Sequence, residues 1–160
     1  MSILILGAGA FGTALAVALG RERQVALWGR GLEGRQSARL PGVMLPENVT
    51  VMADLQKSKA RTILLAVPMQ ALSGFAAENA SHLRGRRLVA CCKGVDLSSG
   101  RGPTAILADI ETEIAPAILT GPSFAADIAA GLPTALTLAC ADPSLGKALQ
   151  AELSTPVLRL

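Results

Sequence analysis

With 160 residues, 51% of them hydrophobic but only Phe11, Trp28, Phe75 and Phe124 aromatic, the chain can build one domain on a core of Ala, Leu, Val and Ile, and hardly two. A net charge of +3 with scattered arginines and no interleaved aromatics gives little reason for a nucleic-acid partner, and three cysteines without C-x-x-C spacing support neither a disulfide framework nor a zinc site. Charge-free stretches such as 62–77 and 114–126 are too short or too polar for membrane insertion, and an N-terminus that enters a strand pattern without a basic leader makes the cytoplasm the expected location.

Short aliphatic or β-branched runs predict strands over 2–6, 24–28, 49–51, 62–66, 86–91, 116–119, 134–139 and 156–159. After the first strand, Phe11, Ala14, Leu15, Ala18 and Leu19 recur at helical spacing, and Gly20 reads as the stop. The stretch 31–49 reads as a weak helix followed by an irregular loop. Pro68 stands at a first helical position, Gly131 with Pro133 closes a helix begun near Ser123, and Asp142 and Pro143 read as the N-cap and first turn of another. Strands alternating with helices in this way predict an α/β fold, Rossmann-like and doubly wound, with a mainly parallel sheet and helices on both faces.

Directly after the first strand, Gly7, Gly9 and Gly12 form G-x-G-x-x-G at the head of a helix. Gly7 would permit a tight turn, Gly9 would let the backbone approach a diphosphate, and Gly12 would let the helix pack closely on its strand, with the helix N-terminus facing the negative charge. A dinucleotide is the expected ligand. An NAD-selective domain usually ends its second strand in Asp or Glu for the ribose 2′-hydroxyl, whereas this chain has Trp28, Gly29 and Arg30 there. The planar fork of Arg30 suits a 2′-phosphate, so NADPH is expected over NADH, with Arg35 as a candidate to share or take over that role.

Ligands of a doubly wound sheet lie beyond the carboxyl ends of the strands, where the turns AVPMQA (66–71), CCKGVD (91–96) and LTGPSFAADIAAG (119–131) fall. Lys93 emerges at such an end and can hold a phosphate or polarise a carbonyl oxygen, with Gly94 keeping the approach clear. Pro122 and Ser123 open a helix beside Gly121, so that a hydroxyl and backbone N–H groups converge on an oxygen-rich ligand. Cys91 and Cys92 read as small, inert strand residues. His82 reads as a surface histidine, and nothing in residues 1–160 is a persuasive proton donor.

Six ordered blocks, GAGAFGTALA, LWGR, LPGVMLPENV, AVPMQAL, CKGVD and LTGPSFAADIAAGLPTAL, resemble the NAD(P)-dependent glycerol-3-phosphate dehydrogenases of the bacterial type, and the likeness spans essentially the whole chain. The resemblance implies reduction of dihydroxyacetone phosphate to sn-glycerol 3-phosphate by NADPH or NADH, for phospholipid synthesis. By position it implies that Ala10, Phe11, Arg30 and Pro68 meet the cofactor, Lys93 meets cofactor and substrate, Gly121 and Ser123 hold the substrate, and Ala125 approaches the nicotinamide. It further implies that 1–160 is the cofactor domain, that the catalytic lysine belongs to a helical second domain absent from these residues, and that the domain alone is nearly inert. A homo-oligomer is compatible with this reading. Departures are Ala10 for the frequent serine, Met69 where VPS is usual, and Asp96 and Asp127 where glutamate is common. The competing expectations are the cofactor domain of another two-domain reductase, acting on a phosphosugar acid or a keto acid, and a non-enzymatic nucleotide-sensing domain.

Overall fold

The computed structural model describes residues 2–30 and 32–160, leaving out the side chain of Glu33; Gly31, at the head of the stretch expected as a weak helix, lies outside the described residues. Strands β1 (Ile3–Leu6), β2 (Val25–Trp28), β3 (Leu32–Glu33), β4 (Gln36–Ser37), β5 (Val49–Met52), β6 (Thr62–Leu65), β7 (Arg87–Ala90), β8 (Ala117–Thr120), β9 (Thr134–Ala135), β10 (Thr137–Cys140) and β11 (Leu158–Arg159) follow in chain order. The helices are α1 (Ala10–Gly20), α2 (Met69–Glu78), α3 (Ala80–Leu83), α4 (Pro103–Ile110), α5 (Ala125–Ala130) and α6 (Pro143–Leu153), with one 3-10 turn over Leu55–Lys57. Seven strands make the main sheet in the order β10, β8, β7, β6, β1, β2, β5, all parallel except β10, which runs antiparallel to β8.

The strands are apolar on both faces because both faces are covered. Ile3 and Ile5 of β1, Leu64 of β6 and Val89 of β7 enter one core with α1, α5 and α6, while Leu4, Leu6, Ile63, Leu65 and Leu88 enter a second core with α2, α3 and α4. This is the expected doubly wound α/β architecture, and it accounts for short strands that read as continuous hydrophobic runs. No helix among the described residues is long and apolar enough to cross a membrane.

Several boundaries move, each for a local reason. Gly20 is the last helical residue of α1 and not a left-handed stop; a Cβ there would lie 2.4 Å from Val49 Cγ2, so its bareness serves packing of α1 on β5. The expected helix within 31–49 is instead the hairpin of β3 and β4, turned at Gly34 with φ +61° and closed by the Arg35 guanidinium, which donates to the carbonyls of Leu45, Pro46 and Val49. Pro68 is the N-cap of α2, one residue before the helix. The strand expected over 134–139 breaks at the buried Leu136, so that β9 pairs with β11 and β10 joins the main sheet. Helix α5 starts at Ala125, later than expected, and ends at Gly131 with φ +81°. Asp142 caps α6 as expected, accepting from Ser144 N at 2.8 Å and Leu145 N at 3.2 Å.

His82 is a correction of another kind. It sits in α3 at 6% exposure and not on the surface, and its Nε2 has no hydrogen-bond partner among the described residues. Burial, joined by the Arg86 charge and opposed by Asp54, holds its pKa below the ordinary value. The unfolded chain therefore takes up a proton near pH 6.5 that the folded chain refuses until lower pH, so stability is full above about pH 6.5 and declines as pH falls below it. Melting temperature measured from pH 7.5 to 5 should fall accordingly, and His82→Gln should flatten that segment of the profile. A profile left unchanged by the substitution would clear His82 of the effect.

Candidate functional site

Strand β1 lies between β2 and β6, so chain connections leave it on opposite sides and a crevice opens at the carboxyl ends of the strands. The glycine loop fills the floor of that crevice. Gly7 has φ +116°, and a Cβ on it would lie 2.4 Å from the Ala66 carbonyl oxygen. Its N–H donates to Trp28 O at 2.8 Å, which ties the loop to the end of β2. A Cβ on Gly12 would lie 2.0 Å from Gly7 O, so α1 can start this close to the strand only with glycine there. Gly9 differs: it is the N-cap of α1, and a Cβ on it would meet nothing within 4 Å. Its open side lies where the first-turn N–H groups of a helix have no partner of their own.

A cleft of about 1320 Å3 runs along this loop. Among the residues singled out in the sequence, Gly7, Gly9, Ala10, Phe11, Arg30, Pro68 and Lys93 line it. One side is apolar, with Leu55 and the tilted pair Trp28 and Phe75, whose ring centroids are 5.6 Å apart. Arg30 and Arg39, both exposed, are the cations on the walls beyond β2. Arg35 is not with them, since its guanidinium is held by the loop carbonyls described above.

Lys93 leaves the end of β7 and its Nζ donates to Gly121 O at 3.2 Å, which brings the turns after β7 and β8 together. Gly94, with φ +95°, makes the turn beyond it. Gly121, Ser123 and Ala125 do not line the cleft itself; they follow β8 at the place Lys93 reaches. A Cβ on Gly121 would lie 2.8 Å from Leu136 Cδ2, so the turn is packed against the neck between β9 and β10. Ser123 does not cap α5, whose N-cap is Phe124. Its Oγ is buried and without a hydrogen-bond partner among the described residues, a state that costs about 1–3 kcal/mol. Ala125 opens α5 and packs on the core that α1 shares.

Cys91 and Cys92 are buried free thiols just past β7. Burial, with Cys92 adding, pushes the Cys91 thiol far up; burial also raises Cys92, against a backbone hydrogen bond that lowers it. Neither is poised as a nucleophile. The loop after Lys93 is organised by Asp96, which accepts from Ser98 Oγ at 2.6 Å, Ser99 Oγ at 2.5 Å and Ser99 N at 2.9 Å and whose pKa these bonds lower.

Four residues of the site carry no sequence signal strong enough to single them out. Gln70 of α2 clamps the Lys93 loop, donating to Val95 O at 2.9 Å and accepting from Leu97 N at 3.0 Å. Phe75, Ser37 and Arg39 also take their places only through the fold. For Gln70 the one available hint is its place in a turn at a strand's carboxyl end.

A family model described as the N-terminus of NAD-dependent glycerol-3-phosphate dehydrogenase matches residues 2–146. A Cereibacter sphaeroides protein named glycerol-3-phosphate dehydrogenase (NAD(P)+) is 60% identical over 156 residues, covering 98% of this chain and 50% of its own length. A protein of the same name from Paracoccus denitrificans is 53% identical over 163 residues, with 100% and 52% covered. The crystal structure of the Coxiella burnetii glycerol-3-phosphate dehydrogenase matches with a TM-score of 0.86 at 31% identity, over 99% of this chain and 52% of that one. The chain spans about half the length of the curated relatives it matches. It belongs to the NAD-dependent glycerol-3-phosphate dehydrogenase family, whose N-terminal portion it matches.

The glycine loop separates two kinds of substitution. Gly12→Ala must push α1 off the strand and should lower stability by about 1–3 kcal/mol, as overpacking does. Gly9→Ala meets open space and should change it by less than about 0.5 kcal/mol. Urea unfolding of both variants checks the contrast, and equal costs would mean that the close approach at Gly12 is not maintained in solution.

Proposed function

We propose that this chain binds NADPH, and NADH more weakly, along the cleft, and is the cofactor domain of a glycerol-3-phosphate dehydrogenase that reduces dihydroxyacetone phosphate to sn-glycerol 3-phosphate for phospholipid synthesis in the cytoplasm. The observation that carries the reading is the continuity of the cleft from the open Gly9 at the N-terminus of α1 to Lys93, held 3.2 Å from Gly121 O near the unpartnered Ser123 hydroxyl. The residues fit a dinucleotide phosphate. Gly9 leaves room for a diphosphate at a helix N-terminus, and Arg30 follows β2 where an NAD-selective domain usually places a carboxylate. The names of the matched relatives support the same substrate pair.

A bound reduced nicotinamide would supply hydride to the substrate's carbonyl carbon. The chain's own residues bind and orient. Gly7, Gly9, Ala10, Phe11 and Gly12 shape the diphosphate seat, and Pro68 forms part of its wall. Ala125, at the head of α5, marks the approach to the nicotinamide. Lys93 lies between the two ligands, where its ammonium can counter the substrate phosphate or draw charge from the carbonyl oxygen. The Gly121 turn and the Ser123 hydroxyl offer the substrate further polar contacts. Protonation of the alkoxide and exclusion of water are assigned to a helical domain in the length such relatives have beyond what this chain spans.

The single tryptophan, Trp28, lines the cleft and reports binding by its fluorescence. The chain should bind NADPH more tightly than NADH, and Arg30→Ala should weaken NADPH about tenfold or more, the loss of one charge-assisted contact, while leaving NADH within about twofold. Glycerol 3-phosphate should protect Lys93 from amine modification once cofactor is present. Absence of binding of either cofactor refutes the reading, and equal losses for both on Arg30→Ala remove Arg30 from the 2′-phosphate.

A further inference from the structure

Ser37, in the short strand β4, is 1% exposed and outside every motif that points to the cofactor. Its hydroxyl makes two bonds. It donates to Ala8 O at 2.7 Å, reaching the middle of the glycine loop from 29 residues away, and it accepts from Arg39 N at 3.2 Å. Ala8 O also receives the hydroxyl of the fully buried Thr13, at 3.3 Å.

Two consequences follow from peptide geometry. The Ala8–Gly9 peptide is trans, as there is no cis bond among the described residues, so its C=O and N–H point to opposite sides. Two buried hydroxyls hold the carbonyl, which turns the Gly9 N–H away from them. The same Ser37 shapes the turn after β4, where Leu40 N donates to Ser37 O at 3.0 Å. That turn buries Leu40 and leaves Ala38 and Arg39 exposed on the cleft wall with Arg30. One hydroxyl therefore couples the seat for a diphosphate to the placement of a second cation.

Resting on the NADPH reading above, we propose that Ser37 is a positioning residue for the dinucleotide, aiming the Gly9 N–H at the diphosphate and setting Arg39 beside Arg30 as a second cation for the adenosine 2′-phosphate. Arg39 touches only what NADPH has and NADH lacks, whereas Ser37 acts on both ends of the contact.

The test is fluorescence titration of the wild-type chain and of Ser37→Ala, Arg39→Ala and the double variant with NADPH and NADH, all well below their melting temperatures. Arg39→Ala should weaken NADPH about tenfold and NADH less than about twofold. Ser37→Ala should weaken both cofactors and also lower the NADPH-to-NADH preference, and the double variant should lose little more preference than Arg39→Ala alone, because the two act through one contact. Ser37→Thr, which keeps the hydroxyl, should retain the preference, and it replaces Ser37→Ala should that variant not fold: loss of preference in a folded Ser37→Thr overturns the coupling. Wild-type affinities in Ser37→Ala, or an unselective effect of Arg39→Ala, overturn the inference while leaving the cofactor reading intact. Failure of the wild-type chain to bind either cofactor overturns both.

Discussion

The site rests on backbone meeting backbone without side chains between. Gly7 brings the chain so close to Ala66 that a Cβ would lie 2.4 Å from its carbonyl oxygen, and Gly12 brings α1 so close to Gly7 that a Cβ would lie 2.0 Å from it. These approaches lock the start of α1 against the ends of β1 and β6. Gly29 repeats the device from the other side, its missing Cβ making room for Ala8 N. The glycine loop is thus clamped between the turns after β2 and β6, and only Gly9 faces open space. The rigidity matters because an N-terminus that had to be ordered on binding would forfeit part of the affinity it offers.

The two ends of the sheet are tied by different chemistry. At the amino ends, arginines donate to main-chain carbonyls: Arg23 to Glu152 and Ser154, Arg86 to Ala60 and Ser58. Arg87 reaches the Glu152 carboxylate at 3.6 Å, and Thr62 donates to that carboxylate at 2.9 Å. These cations staple loops to one another. At the carboxyl ends serine, glutamine and lysine make the ties: Ser37 to Ala8, Gln70 to the Lys93 loop, Lys93 to Gly121. Each ties the loop after one strand to a residue that follows another. A charge-assisted staple suits an end that only needs to stay closed, while the exposed bonds of Gln70 and Lys93 leave groups able to turn toward a ligand.

The glycine loop is legible in the sequence because its chemistry is backbone chemistry: three bare residues at fixed spacing between a strand and a helix allow few other solutions. Lys93 is legible because strand and turn signals place it at a carboxyl end. The stretch 31–49 is not legible, since its order comes from Arg35 bonding three carbonyls 10 to 14 residues on, and no local propensity encodes such contacts. Ser37 and Arg39 are hidden for the same reason. His82 misleads because polar neighbours in sequence suggest a surface, whereas the fold buries it in the short helix α3. The split of the 134–139 run follows from Leu136, which is buried at a point where the backbone changes partners; alternation of apolar residues gives no sign of a change of sheet.

On the proposed reading, affinity and selectivity are housed in different parts of the site. The glycine loop belongs to α1 and the central strands, clamped where Gly7, Gly12 and Gly29 meet their neighbours and open at Gly9. The cations beyond β2 belong to a connection whose regular pieces, among the described residues, are two-residue strands, held by one guanidinium and one hydroxyl. Leu40 and Leu45 of that connection enter the first core, whereas its exposed positions, Arg30, Ala38 and Arg39 among them, can change without disturbing the sheet. On the proposed reading, the nucleotide's common portion meets the geometry of a doubly wound fold, and the single phosphate that distinguishes the two cofactors meets exposed side chains that are most easily exchanged. Ser37 is where these two parts touch, its buried hydroxyl bonded to Ala8 O on one side and to Arg39 N on the other, which is the ground for proposing that it bears on both.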